Sequence, residues 1–144
     1  MTTITSIPGT KTSLGSLGTL ANGTYVNAGT ITSSNALDVI VEVNALPNGV
    51  TSGDQQIVVF AQESLDGTNF SSGPTSGTTT TDESDLYFLG TVPVNSANQQ
   101  TKAFSVAAAL GWVPPYLNVI VKNDCGVALT SGSVAYSLYT GSGV

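Results

Sequence analysis

The chain has no arginine and no histidine, and its three basic residues are Lys11, Lys102 and Lys122. Without an imidazole there is no Ser-His or Cys-His nucleophile pair and no histidine ligand for zinc; without a guanidinium there is no planar fork for carboxylate or phosphate. Charge is scarce altogether. Only 8% of residues are charged, and nine acids against three lysines leave a net charge of -6 and a pI near 4.1. A field of that sign repels nucleic-acid backbones and anionic lipid surfaces, which argues against both as partners. The single Cys125 cannot form an intrachain disulfide. With only Lys122 nearby in sequence to lower its pKa, it reads as a small core or near-surface thiol, not as a nucleophile. The start MTTITSIPGTKTS lacks the basic, apolar, small-residue order of a secretory signal, and no apolar run approaches the roughly 18 to 20 residues of a membrane span. The expectation is a chain made and folded in a cytoplasm.

What is abundant points to β structure. Of the 144 residues, 37 are Ser or Thr, 16 are Gly and 6 are Pro, a turn-rich mixture with many neutral hydrogen-bonding side chains. A chain of this length buries roughly 70% of its unfolded surface in one domain and needs no disulfide or metal to fold.

Residues 1–24, MTTITSIPGTKTSLGSLGTLANGT, are mostly Thr, Ser and Gly with isolated apolar residues at Ile4, Ile7, Leu14, Leu17 and Leu20. Gly15 and Gly18 disfavour a helix, and the LGSLGTL triplet is too short for a solenoid repeat. This segment reads as an extended arm, either a loose terminus or one that lays its Ile and Leu on a neighbouring subunit.

From Tyr25 on, short β-prone runs alternate with turn signals, as in an antiparallel sandwich or barrel. Strands are expected over 25–31, 37–46, 56–64, 86–94, 101–107, 116–123 and 133–139. In LDVIVEVNAL, Leu37, Val39, Val41, Val43 and Ala45 share one face; Asp38, Ile40, Glu42 and Asn44 share the other, which should meet solvent. Asn48-Gly49 and Asp66-Gly67 supply turns. SSGPTSGTTTTDES, residues 71–84, is read as a long surface loop. Residues 107–111 make at most one helical turn before Pro114-Pro115. Tyr116–Asn123 and Ser133–Tyr139 are expected to pair as a hairpin. The sum is an all-β, antiparallel β-sandwich, jelly-roll-like, of about eight strands: an extended N-terminal arm over 1–24 and the sandwich over 25–144.

Asp82, Glu83 and Asp85 supply the oxygen chemistry of a calcium site, but their spacing is not that of an EF-hand, and a short acidic run beside a Thr-rich loop reads as solvated surface. Paired carboxylates also serve glycoside hydrolysis, yet no further group accompanies these acids. No catalytic residue, cofactor or metal is assigned, and no enzyme activity is expected. Trp112, Tyr116, Tyr87, Phe88, Tyr136 and Tyr139 offer rings for stacking on sugars; the same residues serve equally as core or as interface anchors, with GWVPPY forming a rigid corner over one end of the core. The sequons at Asn22 and Asn69 carry little weight without a secretory signal.

The segments SLDGTNF (64–70), LGTVPV (89–94) and YLNVIVKNDCG (116–126), followed by GSVAYSLYTG, resemble small β-sandwich virion structural proteins of tailed bacteriophages. The similarity spans about Leu37 to Gly141 and is nearest to the head decoration, or cement, proteins. It implies binding to the outer surface of a phage head, a major capsid protein as partner, a homo-oligomer (trimer ahead of dimer), and residence on the virion head after synthesis in the host cytoplasm. The SLDGTNF turn is also similar to hairpins of carbohydrate-binding sandwiches and of tail, baseplate or fibre components, which stand as alternatives. The residues expected at the interface are Ile4, Ile7, Leu14, Leu17, Leu20, Trp112 and Tyr116.

Overall fold

Alternating or fully apolar β-branched runs, broken by Gly, Asn, Asp and Ser, dictate short strands here. The computed structural model describes residues 3–143; of the two regions expected above, residues 1–2 and residue 144 lie outside the described residues. In chain order the strands are β1 (Ile4–Pro8), β2 (Thr12–Ser16), β3 (Tyr25–Thr32), β4 (Asp38–Pro47), β5 (Gln56–Ser64), β6 (Ser76–Gly77), β7 (Tyr87–Pro93), β8 (Gln100–Ser105), β9 (Tyr116–Asp124) and β10 (Leu129–Gly143). One short helix, α1 (Val106–Leu110), follows β8. The fold is all-β: two antiparallel sheets, one ordered β1-β10-β4-β8 with β2 also on β10, the other ordered β6-β3-β9-β5-β7.

The main core lies between the sheets. β4 alternates as its sequence demands, with Val39, Val41, Val43 and Ala45 buried and Asp38, Ile40, Glu42 and Asn44 half-buried on the outer face. From the other sheet Ile57, Val59, Ala61, Leu117, Val119 and Val121 meet them in one cluster, joined by Cys125, whose thiol is free and fully buried. Each such aliphatic side chain contributes about 1.5–3 kcal/mol by leaving water. Leu37 falls outside this pattern: β4 begins at Asp38, and Leu37 is 49% exposed instead of facing inward.

β5 and β9 are buried on both faces: residues 71–84 are a surface segment as expected, exposed or half-buried throughout, but with Leu86 they lie over the sheet. They cross the outside of the second sheet as a strap. Leu86 seats on Tyr25, Val58, Phe60 and Ile120, forming a second apolar cluster. Ser76–Gly77 adds two residues of pairing to Tyr25–Val26. A chain of side-chain bonds runs beneath: the Thr30 hydroxyl donates to Asn118 Oδ1 (2.5 Å), Asn118 Nδ2 to Gln62 Oε1 (2.9 Å), and Gln62 Nε2 to the Ser71 carbonyl (2.6 Å). Glu83 completes the attachment, accepting from the Tyr25 hydroxyl and from Lys122 Nζ (3.0 Å), which also lies 3.4 Å from Asp124. The polar composition of 71–84 concealed this role, because a single leucine, two residues beyond its end, supplies the apolar contact.

Two further expectations are corrected by the topology. β9 and β10 do not form a hairpin: β9 pairs with β3 and β5, and β10 with β1, β2 and β4, so the connection crosses between sheets. The arm, expected to reach a neighbour, pairs with β10 of its own chain through both β1 and β2. Leu17 is 4% exposed in the main core, with Leu14 and Leu20 packed against it. These three leucines therefore serve the protein's own interior. Gly15 permits the close approach, since a Cβ there would lie 2.0 Å from the Ala28 carbonyl oxygen. Residues 17–24 are knit in by main-chain bonds from Leu17 N to Gly132 O, Leu129 N to Leu20 O and Gly23 N to Asn123 O. The fully buried Asn123 amide donates to Leu20 O and Val127 O.

Leu17→Ala should accordingly cost about 2–5 kcal/mol in chemical denaturation, whereas Val50→Ala, at an exposed position, should stay within about 0.5 kcal/mol. The strap gives a pH signature. Burial opposes the Glu83 charge, but the Tyr25 hydroxyl and the Lys122 ammonium outweigh it and hold the carboxyl below its usual range. Its contribution is present above the unfolded value of ~4.3 and is lost as pH falls through the lower folded value. Burial likewise disfavours the Lys122 ammonium, yet Glu83, Tyr25 and Asp124 raise its pKa, so that contribution holds below the unfolded ~10.4 and is lost as pH rises through the folded value. Glu83→Gln should flatten the acid limb of a thermal-midpoint profile measured from about pH 2 to about pH 7; an unchanged limb would show that Glu83 does not pin the strap.

Candidate interface at one end of the sandwich

Chain connections define two ends. At one of them β3 turns into β4, β5 ends in the Asp66-Gly67 turn, and β8 passes through α1 and the 111–115 corner into β9. The β3–β4 turn closes with Ala36 N–H donating to Ser33 O (2.9 Å), and its central residues Ser34 and Asn35 take left-handed φ values of 49° and 64°. That pair of positive φ angles is what a tight type I′ reversal requires. Ser105 caps α1 by accepting from Ala108 N, and Pro114-Pro115 sets the corner that follows. β10 and β1 run past this end: Tyr139 lies opposite Asp38, the first residue of β4, so Thr140–Gly143 and their partners Ile7–Ile4 continue beyond it.

The large exposed apolar side chains concentrate here. Ile4 (66%), Leu65 (75%) and Leu37 (49%) are joined by Ile7 and Trp112, with Tyr87 and Phe88 on the nearby start of β7; Val50 stands exposed at the opposite end. Ile4 and Leu37 converge over Gly141, where a Cβ would come within 3.1 Å of Ile4 and 2.8 Å of Leu37. Tyr116 packs half-buried against Gly67, whose φ of 76° and whose 3.1 Å clearance to the Tyr116 ring for an added Cβ both favour glycine. Of the seven residues expected at an interface, Ile4, Ile7, Trp112 and Tyr116 thus come to one end of the fold, and Leu14, Leu17 and Leu20 do not. Leu37 and Leu65 escaped the sequence reading. Leu65 carried a usable signal, a large aliphatic residue placed in a turn between Ser64 and Asp66; Leu37 carried none, since alternation assigned it inward.

The carboxylates at this end are spoken for. Asp38 accepts from Ser105 Oγ (2.5 Å), Ala107 N (2.9 Å) and Val39 N (2.8 Å), locking α1 to β4. Glu63 accepts from Ser71 Oγ (2.8 Å). Asp66 takes the backbone N–H groups of Asn69 and Thr68, the Asn69 amide and the Ser64 hydroxyl, which together hold its carboxyl far below the usual range. These acids brace turns, leaving an end whose chemistry is contact between apolar and neutral polar groups.

The other candidates disperse. Asp82, Glu83 and Asp85 sit on the strap, where Glu83 faces Lys122 and Tyr25, and among the described residues no three acidic or thiol side chains gather as a cation site. The six aromatic residues considered for sugar stacking do not form one platform. Trp112 and Tyr116 lie at the end, Tyr87 and Phe88 on β7, Tyr136 against the main core, and Tyr139 beside Ile40 and Ala103 on the outside of the first sheet. Asn22 Oδ1 accepts from Gly126 N (2.8 Å), and Asn69 serves the Asp66 turn. No helix among the described residues is long and apolar enough to cross a membrane. Compared with known proteins, the chain matches no family model and no curated sequence.

Trp112 is the sole tryptophan and is 37% exposed, which makes it a reporter of this end. Its emission should be quenched by acrylamide in the free protein, and should shift to the blue with reduced quenching when a partner covers the end. Binding of a partner with no change in either property would place the contact elsewhere.

Proposed function

We propose that this protein is an adhesive structural component of a virion, a capsid decoration protein that docks on the outer surface of a phage head and stabilises contacts between capsid subunits. The observation that carries the reading is the collection of Ile4, Ile7, Leu37, Leu65 and Trp112 at one end of the sandwich, among carboxylates already occupied by turns. Such an end adheres by excluding water and by neutral hydrogen bonds, neither of which weakens with salt as screened ion pairs do. The fold we infer is a jelly roll. Setting aside β1 and the two-residue β6, strands pair in nested order, β2 with β10, β3 with β9, β4 with β8 and β5 with β7, giving sheets β2-β10-β4-β8 and β3-β9-β5-β7. That is one long hairpin rolled upon itself, an architecture common among viral capsid proteins and lectins. The protein acts as a homo-oligomer, so several weak ends engage one lattice together and reinforce one another through effective concentration.

Purified heads lacking the protein provide the test. Wild-type protein should co-sediment with them and raise their heat resistance. Leu65→Asp with Trp112→Asp should weaken binding by about thirtyfold or more, the loss of a buried anchor of about 2 kcal/mol, with circular dichroism unchanged. Val50→Asp, at the opposite end, should bind like the wild type. Equal binding by all three would exclude this end, and failure of the wild type to bind any shell, or its recovery on tails alone, would overturn the head assignment. Any truncation of the arm must stop before Thr12, since Leu14 and Leu17 belong to the core.

A further inference from the structure

We infer that β1 is an exchangeable strand, which in the working protein pairs with β10 of a second copy of this chain. The five residues of β1 are all exposed, and the strand pairs with β10 along its whole length. In its partner segment Thr140, Gly141 and Ser142 are likewise exposed. Pairing of β10 with β4 stops at Tyr139, so beyond that point Thr140–Gly143 are held in the sheet by Ile4–Ile7 alone. A two-stranded ribbon without a covered face is marginal in water, and to its main-chain bonds this one adds the convergence of Ile4 with the half-exposed Leu37 over Gly141. Contrast β2, three residues further on, whose Leu14 and the following Leu17 anchor it in the core.

The edge that β1 presents is also poorly protected. Strands at sheet edges are ordinarily blunted by charge, proline or a cover. ITSIP carries no charge, has proline only at its last position, and exposes Ile4 and Ile7. The occupant follows from the register. Every copy carries both halves, an Ile4–Pro8 strand and the Tyr139–Gly143 edge that receives it, so a second copy offers an identical site with no new complementarity needed. Gly9–Lys11, outside any strand, supply the hinge, which opens on release of the Ser137 Oγ–Gly9 O bond (2.7 Å) and the Lys11–Glu42 ion pair, and three residues reach at most about 10 Å. That short reach brings the apolar ends of neighbouring copies together, burying Ile4, Ile7 and Leu37 where the closed form leaves them in water. Exchange keeps the ribbon's bonds and adds this burial, and it closes a ring of two or three copies. The inference rests on the ribbon's register and holds whether or not the lattice is a capsid.

The experiment uses the purified full-length chain with no shell present, so its outcome is separate from that of the binding assay above. Thr5 and Ser142 are opposite one another and not in the core, while the native Cys125 is buried. In a Thr5→Cys, Ser142→Cys protein, mild oxidation should yield covalent dimers or trimers on a non-reducing denaturing gel. A disulfide found only within single chains would overturn exchange. Removal of residues 1–8 gives a second, independent readout: native mass should fall from that of the oligomer to that of one chain, with circular dichroism unchanged. A wild type that is already monomeric, or a truncated form that keeps the wild-type mass, would overturn the inference as well.

Discussion

β10 is the strand on which the rest of the molecule depends. It runs fifteen residues, Leu129–Gly143, taking β4 along one side and β2, then β1, along the other. A strand has only two edges of donors and acceptors, so both sides of β10 are used where β2 and β4 flank it, and the first sheet closes only because the N-terminal segment returns to fill the outer side. Past Tyr139 that double support ends. The same strand is thus core at one end and a thin ribbon at the other, and the change from one to the other occurs within a few residues.

The second sheet meets a different constraint. Its outer face carries Tyr25, Val58, Phe60 and Ile120, too apolar to face water, but also Asn118 and Gln62, too polar to be covered by a plain hydrophobic layer. The strap answers both. Leu86 closes over the apolar part, while Thr30, Asn118, Gln62 and the Ser71 carbonyl satisfy one another in sequence across β3, β9, β5 and the strap. Buried amides are tolerated only when their partners are present, and this arrangement explains why a Ser- and Thr-rich segment of low hydrophobicity is nonetheless held against the sheet.

Low charge unites the two sheets with the proposed adhesive role. Three lysines serve a chain of 144 residues, and Lys11 and Lys122 are already paired with Glu42 and with Glu83 and Asp124. The end that gathers Leu37, Leu65 and Trp112 contains none of them. Association through such a surface gains from area removed from water and from shape, with little steering by long-range fields.

The sequence alone shows most strands from Tyr25 on, with their faces; it does not show β1, β2 or the two-residue β6, nor that Leu37 turns outward. The period-two alternation in 38–47, the paired turn formers, and Pro114-Pro115 after a single helical turn are local signals, written in neighbours along the chain. It also determined the absence of imidazole and guanidinium chemistry, a matter of composition. Which strand lies beside which was a tertiary decision: β9 and β10 look like a hairpin because they are adjacent and apolar, yet each pairs with strands distant in sequence, since burying both sheets' inner faces outweighs the short loop. The fate of the arm was decided in the same way. Ile4, Ile7, Leu14, Leu17 and Leu20 are alike as isolated aliphatic residues among Thr, Ser and Gly, and nothing local separates the three leucines that enter the core from the two isoleucines left in water. What separates them is where β10 still lies over the opposing sheet and where it has run past it, a property of three-dimensional overlap that no local pattern encodes.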